Sequence, residues 1–107
     1  MKLHRQKVIF MNIEDISVEK LSELVYLSPG YFSYIFKKET GDTVSRFIRN
    51  YRMEQAKKLL SDTSMKIVQI CKETGFSNVS YFIRSFKEKY KVTPKELRLR
   101  ADDSFTV

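Results

Sequence analysis

The chain contains one aromatic and basic pattern twice, fifty residues apart. The stretch SPGYFSYIFKKETG at 28–41 shares a tyrosine, two phenylalanines and a lysine with NVSYFIRSFKEKYK at 78–91. Two phenylalanines four positions apart lie on one face of a helix, which is typical of core packing. The repeat therefore predicts two copies of one small helical unit. The matched pairs are Tyr31 and Tyr81, Phe32 and Phe82, Phe36 and Phe86, and Lys37 and Lys87.

Glycine and proline are scarce, with three and two among the 107 residues. So few turn-forming residues disfavour an all-β domain, which needs many tight turns. Apolar residues make up 42% of the chain and aromatic residues 13%. This composition is enough to build a core and indicates that the chain as a whole is not an intrinsically disordered segment. A chain of this length forms one domain or two very small ones that share an element. We therefore expect an all-α fold.

The first copy of the pattern is preceded by a second helical signal. Residues 17–27, SVEKLSELVYL, place apolar side chains at helical spacing, with Ser17 as a candidate N-cap. Another helix is expected over 29–40, because Ser28 can cap its start and Gly41 can end it. Two short helices joined by a tight turn predict a helix-turn-helix unit.

The same outline returns after a longer helix. Thr43 is a candidate N-cap for a helix over 43–61, whose apolar residues recur three and four positions apart. A second helix pair should follow, one helix ending near Gly75 and one over 78–90, and a short last helix should start at Thr93. The expected divisions are a lead-in (1–12), a first helix-turn-helix unit (13–42), a linker helix (43–61), a second unit (62–100) and a frayed tail (101–107).

Positive charge is concentrated where the two copies lie. The formal net charge is +7, yet residues 1–30 carry four basic and four acidic side chains. Residues 31–100 carry sixteen basic against seven acidic side chains. A basic surface placed in this way favours a polyanionic partner, although any single lysine can simply lie on a solvated helix face.

The outward positions of each second helix are the candidates for base recognition. In a helix-turn-helix the second helix enters the major groove of DNA. Arg84 is the leading candidate because arginine pairs bidentately with guanine, with a phosphate contact or a solvated position as the alternative. Asn78 can pair with adenine but can equally cap its helix. The predicted base-reading residues are Gly30, Ser33 and Tyr34 in the first unit and Asn78, Val79, Ser80, Ile83 and Arg84 in the second.

Other basic residues are candidates for the DNA backbone. They are Lys37, Lys38, Arg46, Arg49, Lys87 and Lys89. A helix over 43–61 is about 28 Å long, close to the roughly 34 Å of one turn of B-DNA. If the linker separates the two reading helices by its own length, both can enter successive major grooves of one duplex.

Four stretches occur in the order and spacing of one protein family. They are LSPGYFSYIFKKETG, RMEQAKKLL, GFSNVSYFIRSFKEKY and TPKELR. Over about 13–100 the chain resembles the DNA-binding domain of the AraC/XylS family of bacterial transcription regulators. The stretch VYLSPGYFSYIFKKETG looks most like the branch of the family whose DNA-binding domains are attached to two-component response-regulator receiver domains. Departures are Ser22 and Cys71 where alanine is usual, Lys91 where a helix-ending glycine is common, and Leu97 in place of tyrosine.

The resemblance implies about seven helices in two homeodomain-like helix-turn-helix units, and the same base-reading positions as those above. It also implies binding to double-stranded promoter DNA and activation through contact with RNA polymerase. Family members usually carry an effector or receiver domain, and we expect such a domain as a partner that is missing from these 107 residues. We expect the domain alone to be monomeric and cytoplasmic.

Catalytic parts are scarce. The chain has one histidine, His4, and one cysteine, Cys71, so neither a histidine-based triad nor a disulfide can be assembled. No glycine-rich phosphate loop, metal-ligand cluster or membrane-length apolar run occurs in the sequence, and we expect no enzyme activity, cofactor or membrane association. The alternative is a basic helical module that binds RNA or protein. It is disfavoured because the aromatic residues fall mostly on core positions, with Tyr34 and Tyr81 as exceptions.

Overall fold

The computed structural model describes residues 16–105, with side chains described for 16–100. This part of the chain is all-α, as expected, and contains no strand. The expected lead-in at 1–12 lies outside the described residues. The described residues contain six helices, whereas about seven were expected for the domain. The helices are α1 (Val18–Leu24), α2 (Pro29–Thr40), α3 (Val44–Asp62), α4 (Ile67–Glu73), α5 (Val79–Tyr90) and α6 (Pro94–Phe105).

The chain divides into two compact units, one ending at Tyr51 and the other beginning at Arg52. This boundary falls inside α3 and not at the ends of the linker helix, because each half of α3 packs into a different core. The N-terminal half buries Val44 and Ile48 in the first unit, and the C-terminal half buries Met53, Ala56 and Leu60 in the second.

The core of the first unit is built around the two phenylalanines of α2. The rings of Phe32 and Phe36 lie 5.8 Å apart, and Phe47 of α3 meets Phe36 edge-on at 5.4 Å. Leu21 of α1 is fully buried against them. Burial of one such side chain stabilises the fold by about 1.5–3 kcal/mol. The prediction that these phenylalanines are scaffold is confirmed.

The second unit repeats this arrangement. Phe82 and Phe86 of α5 are fully buried with their rings 5.9 Å apart, and the ring of Phe76 from the preceding turn lies 5.0 Å from that of Phe82 in a tilted arrangement. Cys71 is buried, its Sγ donates to the Phe76 carbonyl at 3.4 Å, and burial raises the pKa of its thiol. A buried thiol of raised pKa is a packing group and not a nucleophile.

Corresponding helices of the two units also end in the same way. Both α1 and α4 close with a 6→1 hydrogen bond, from the Leu27 N–H to the Ser22 carbonyl at 3.1 Å and from the Phe76 N–H to the Cys71 carbonyl at 2.9 Å. The residue before each donor is left-handed: Gly75 has φ 88° and its counterpart Tyr26 has φ 58°. The left-handed position is thus occupied by glycine in the second unit and by tyrosine, a large L-residue, in the first.

The last helix is longer than expected. It continues to Phe105, past the position where the tail over 101–107 was expected to begin. A capping box starts this helix, since the Thr93 hydroxyl accepts the Glu96 N–H at 3.1 Å and the Glu96 carboxylate accepts the Thr93 N–H at 3.3 Å. No glycine or proline follows Pro94 to stop it. None of the helices described is long and apolar enough to cross a membrane.

Candidate nucleic-acid interface

The second helix of the first unit, α2, presents one face to solvent. Ser28 starts it by accepting the Tyr31 N–H on its hydroxyl at 3.3 Å, and Pro29 occupies the first turn, where a missing N–H has no cost. Because Phe32 and Phe36 fix the buried face, the predicted base-reading residues fall outside it. Gly30 and Tyr34 are exposed, and Ser33 is half-buried.

Two tyrosines dominate the exposed face of α2. Tyr34 is 60% exposed and Tyr31 is 54% exposed, with their rings 6.4 Å apart. The ammonium of Lys38 lies 6.0 Å from the Tyr34 ring centroid. Sequence reasoning singled out Tyr34 but treated Tyr31 only as a repeat match to Tyr81. The spacing of three between Tyr31 and Tyr34 is the signal that places both on one helix face.

In the second unit, α5 begins at a capping asparagine. The Asn78 Oδ1 accepts the Tyr81 N–H at 2.9 Å, so the side chain of Asn78 serves the cap that the sequence offered as an alternative. Its amide nitrogen is not used in that bond. Val79 is half-buried and packs against the second core, whereas Ser80 is exposed. Of the residues predicted to read bases in this turn, Asn78 and Ser80 are therefore exposed, and Val79 is only partly so.

One turn further along α5, Ile83 and Arg84 face solvent. The guanidinium carbon of Arg84 lies 6.0 Å from the ring centroid of Tyr81, which is 39% exposed. A cation over an aromatic face at this distance is attracted by about 0.5–1 kcal/mol at an exposed site. The ring of Tyr81, which sequence reasoning marked only as a partly exposed aromatic, thus lies under the side chain of the leading base-reading candidate.

The predicted phosphate contacts are all exposed, but their surroundings differ. Arg46 Nε lies 3.8 Å from a carboxylate oxygen of Asp42, a solvent-exposed pair that contributes little to stability. The four lysines Lys37, Lys38, Lys87 and Lys89 lie in the last turns of α2 and α5, where a cation also interacts favourably with the helix dipole. Arg49 is exposed on α3.

A basic group that sequence reasoning did not single out lies beside α5. The ammonium of Lys57 is 4.7 Å from the Tyr90 ring centroid, and that of Lys89 is 5.6 Å from the same centroid. Burial raises the pKa of Tyr90, with a further contribution from Glu54. Two ammonium groups therefore lie around one tyrosine ring at the C-terminal end of α5. Contact of any of these residues with DNA stays a prediction.

Within the described part of the chain, no group of three or more His, Cys, Asp or Glu side chains is placed to hold a metal ion. The exposed face of each second helix instead carries hydroxyl, aromatic and cationic groups. Such groups hydrogen-bond, stack and pair with phosphate, as a nucleic-acid surface requires.

Comparison with known proteins agrees with this geometry. A family model described as a helix-turn-helix domain matches residues 21–100. Regulatory protein PocR of Salmonella typhimurium is 36% identical over 91 residues, which are 85% of this chain and 30% of that protein. The chain thus spans less than a third of the length of that relative.

Two solved structures are similar to the chain over most of its length. The C-terminal domain of the two-component response regulator yesN from Fusobacterium nucleatum is 37% identical with a TM-score of 0.74, and the match covers 88% of this chain and 92% of that one. A transcriptional regulator of Chromobacterium violaceum, described as an AraC-type DNA-binding domain-containing protein, is 31% identical with a TM-score of 0.76. That match covers 84% of this chain and 81% of the other.

Proposed function

This chain belongs to the AraC/XylS family of helix-turn-helix transcription regulators, and we propose that it reads two successive major grooves of double-stranded promoter DNA with α2 and α5. The observation that carries the proposal is the shared build of the two units. In each, two buried phenylalanines fix the inner face of the second helix, and a polar, aromatic and basic face is left to solvent.

The two faces differ in the chemistry that they offer to DNA. Arg84 of α5 is the group best suited to a guanine edge, and Ser80 can hydrogen-bond to either base type. In α2, Ser33 offers a hydroxyl at a different position of the repeat, and Tyr34 offers an apolar ring to a thymine methyl or a sugar. We propose that α5 provides most of the hydrogen-bonded readout and that α2 reads shape and apolar edges.

Selection of bound sites from random duplex DNA, followed by footprinting on the selected site, tests this proposal. We expect protection of two neighbouring major grooves on one face of the duplex by a single chain. Protection of one groove would mean that only one unit reads DNA. Tighter binding to single-stranded RNA than to the selected duplex would favour an RNA-binding module instead.

Salt dependence tests the phosphate contacts. Each phosphate neutralised by Lys or Arg adds about −0.9 to the slope of log K against log salt concentration on B-DNA. With six candidate residues we expect a slope of roughly −5 if all six contact phosphate. A flat salt response would contradict the backbone role of these residues.

Arg84→Ala tests base recognition. We expect loss of preference at one base pair of the selected site, about 1–3 kcal/mol, with little change in binding to unrelated duplexes. Lys87→Gln is the matched control, because loss of a phosphate contact should weaken binding to both duplexes equally. Equal weakening by Arg84→Ala would reassign Arg84 to the DNA backbone.

We also propose that the domain activates transcription through RNA polymerase and is controlled by a regulatory domain in the same polypeptide. The resemblance to the C-terminal domain of a response regulator supports a receiver as that partner. Single-round transcription from a promoter that carries the selected site tests activation. Unchanged or reduced transcript on addition of the protein would contradict it.

A further inference from the structure

The second helix of each unit ends at a residue in the left-handed region, but the two units use different residues there. In α2 this residue is Gly41, with φ 78°, and its N–H donates to the Lys37 carbonyl at 2.8 Å. In α5 it is Lys91, with φ 66°, and its N–H donates to the Lys87 carbonyl at 2.8 Å. The backbone requirement is therefore the same at both ends.

Lysine is an unfavourable choice for this conformation. The β-carbon of an L-residue crowds the backbone at positive φ, whereas glycine adopts this region freely. Lys91 is exposed, so burial of its side chain does not offset this cost. Lys87 and Lys89 already supply cations to the last turn of α5, so a third lysine adds repulsion for little further gain from the helix dipole.

The position of Lys91 identifies what the side chain can bind. Arg84, Lys87, Lys89 and Lys91 are all exposed along α5 and its C-terminal end. In helix-turn-helix domains of the homeodomain type, the C-terminal end of the reading helix contacts the DNA backbone. An exposed cation at this end therefore fits a phosphodiester oxygen better than a base edge.

We propose that Lys91 is a phosphate-binding residue, which extends the backbone contacts of Lys87 and Lys89 beyond the end of α5. The inference rests on the proposed function, since it requires α5 to lie in the major groove. It predicts that removal of the Lys91 side chain raises the stability of the fold and lowers the affinity for DNA.

Lys91→Gly tests this prediction on the full chain, with the selected duplex as the probe. Because glycine relieves the left-handed strain, we expect the melting temperature to rise by about 3–6 °C. Because one phosphate contact is lost, we expect affinity to fall roughly 3- to 10-fold near 150 mM salt and the salt slope to become shallower by about 0.9.

Three further variants separate charge from backbone. Lys91→Gln should lose the same affinity without the gain in melting temperature, and Lys91→Arg should keep both affinity and salt slope. Lys72→Gln removes an exposed lysine from α4 of the same unit and should leave the salt slope unchanged. Wild-type affinity and slope in Lys91→Gly would overturn the inference while leaving the proposed function intact. A wild-type chain without salt-dependent duplex binding would overturn both.

Discussion

Of the three glycines, Gly75 is the one where an added β-carbon would meet atoms of another residue. Its φ of 88° lies in the left-handed region, where an L-residue costs about 1–2 kcal/mol. A β-carbon built there would lie 2.9 Å from Nε and 3.1 Å from Cζ of Arg52. These distances are shorter than van der Waals contact, so Gly75→Ala must also displace the guanidinium.

The Arg52 side chain is not free to move without cost. It is half-buried, and desolvation lowers its pKa. The atoms that must shift belong to the flexible end of this side chain, and moving it off its preferred rotamer costs about 0.5–1.5 kcal/mol. With the backbone contribution of about 1–2 kcal/mol, we expect Gly75→Ala to lower the free energy of unfolding of the second unit by about 1.5–3.5 kcal/mol.

Urea denaturation followed by far-ultraviolet circular dichroism measures this change, with the m-value as a check that the denatured state is unaltered. Gly75→Asn is the matched control, because asparagine tolerates positive φ but still places a β-carbon against Arg52. In an Arg52→Ala background, Gly75→Ala should cost only the backbone part, about 1–2 kcal/mol. An equal cost in both backgrounds would refute the proposed contact.

Three smaller effects follow from other helix ends. Tyr26→Gly should raise the free energy of unfolding of the first unit by about 1 kcal/mol, because Tyr26 has φ 58° and its side chain is 93% exposed. A lower urea midpoint would contradict this expectation. Arg98→Met should lower the free energy of unfolding of the second unit by about 1–2 kcal/mol, because the Arg98 guanidinium donates to two carbonyls at the C-terminal end of α3 at 3.3 Å each. Arg98→Lys should recover part of this loss. The hydrogen bonds from Thr93 hold the pKa of Glu96 below its ordinary 4.5, so the stability from this group is present above pH 4.5 and is lost as the pH falls through the folded-state pKa. Urea midpoints of the wild type between pH 7 and pH 3 should therefore fall more steeply than those of Glu96→Gln.

The sequence predicted what short-range chemistry decides. The N-caps Ser17, Ser28 and Thr43 lie where expected, and Gly41 ends α2 in the left-handed conformation. The long helix expected over 43–61 is observed at 44–62. Each of these features depends on a few neighbouring residues and a backbone hydrogen bond, so a local pattern carries enough information to place it.

Features that depend on distant partners could not be predicted in the same way. The bonds from Arg98 to the end of α3 span more than thirty residues, and the burial of Met53 depends on α3 contributing to a second core. Asn78 shows a different limit, since the same side chain suits both a helix cap and a base edge. Local sequence cannot choose between two roles that one residue type fulfils equally well. The structure shows the capping bond to the Tyr81 N–H, and contact of Asn78 with a base stays a prediction.

The two units also show that the scaffold alone does not dictate glycine at its turns. At the end of the first helix the residues are Tyr26 and Gly75, and at the end of the second they are Gly41 and Lys91. All four make the turn with positive φ, and in each pair one copy carries a side chain that strains the backbone. Since the hydrogen bonds are equivalent between copies, the turn itself cannot explain why tyrosine and lysine are present. A side chain that is exposed and strained must contribute outside the fold if it contributes at all, and Lys91 adjoins a helix whose exposed face is already basic. The opposed effects expected of Lys91→Gly on melting temperature and on DNA affinity are therefore a test of why one copy departs from glycine.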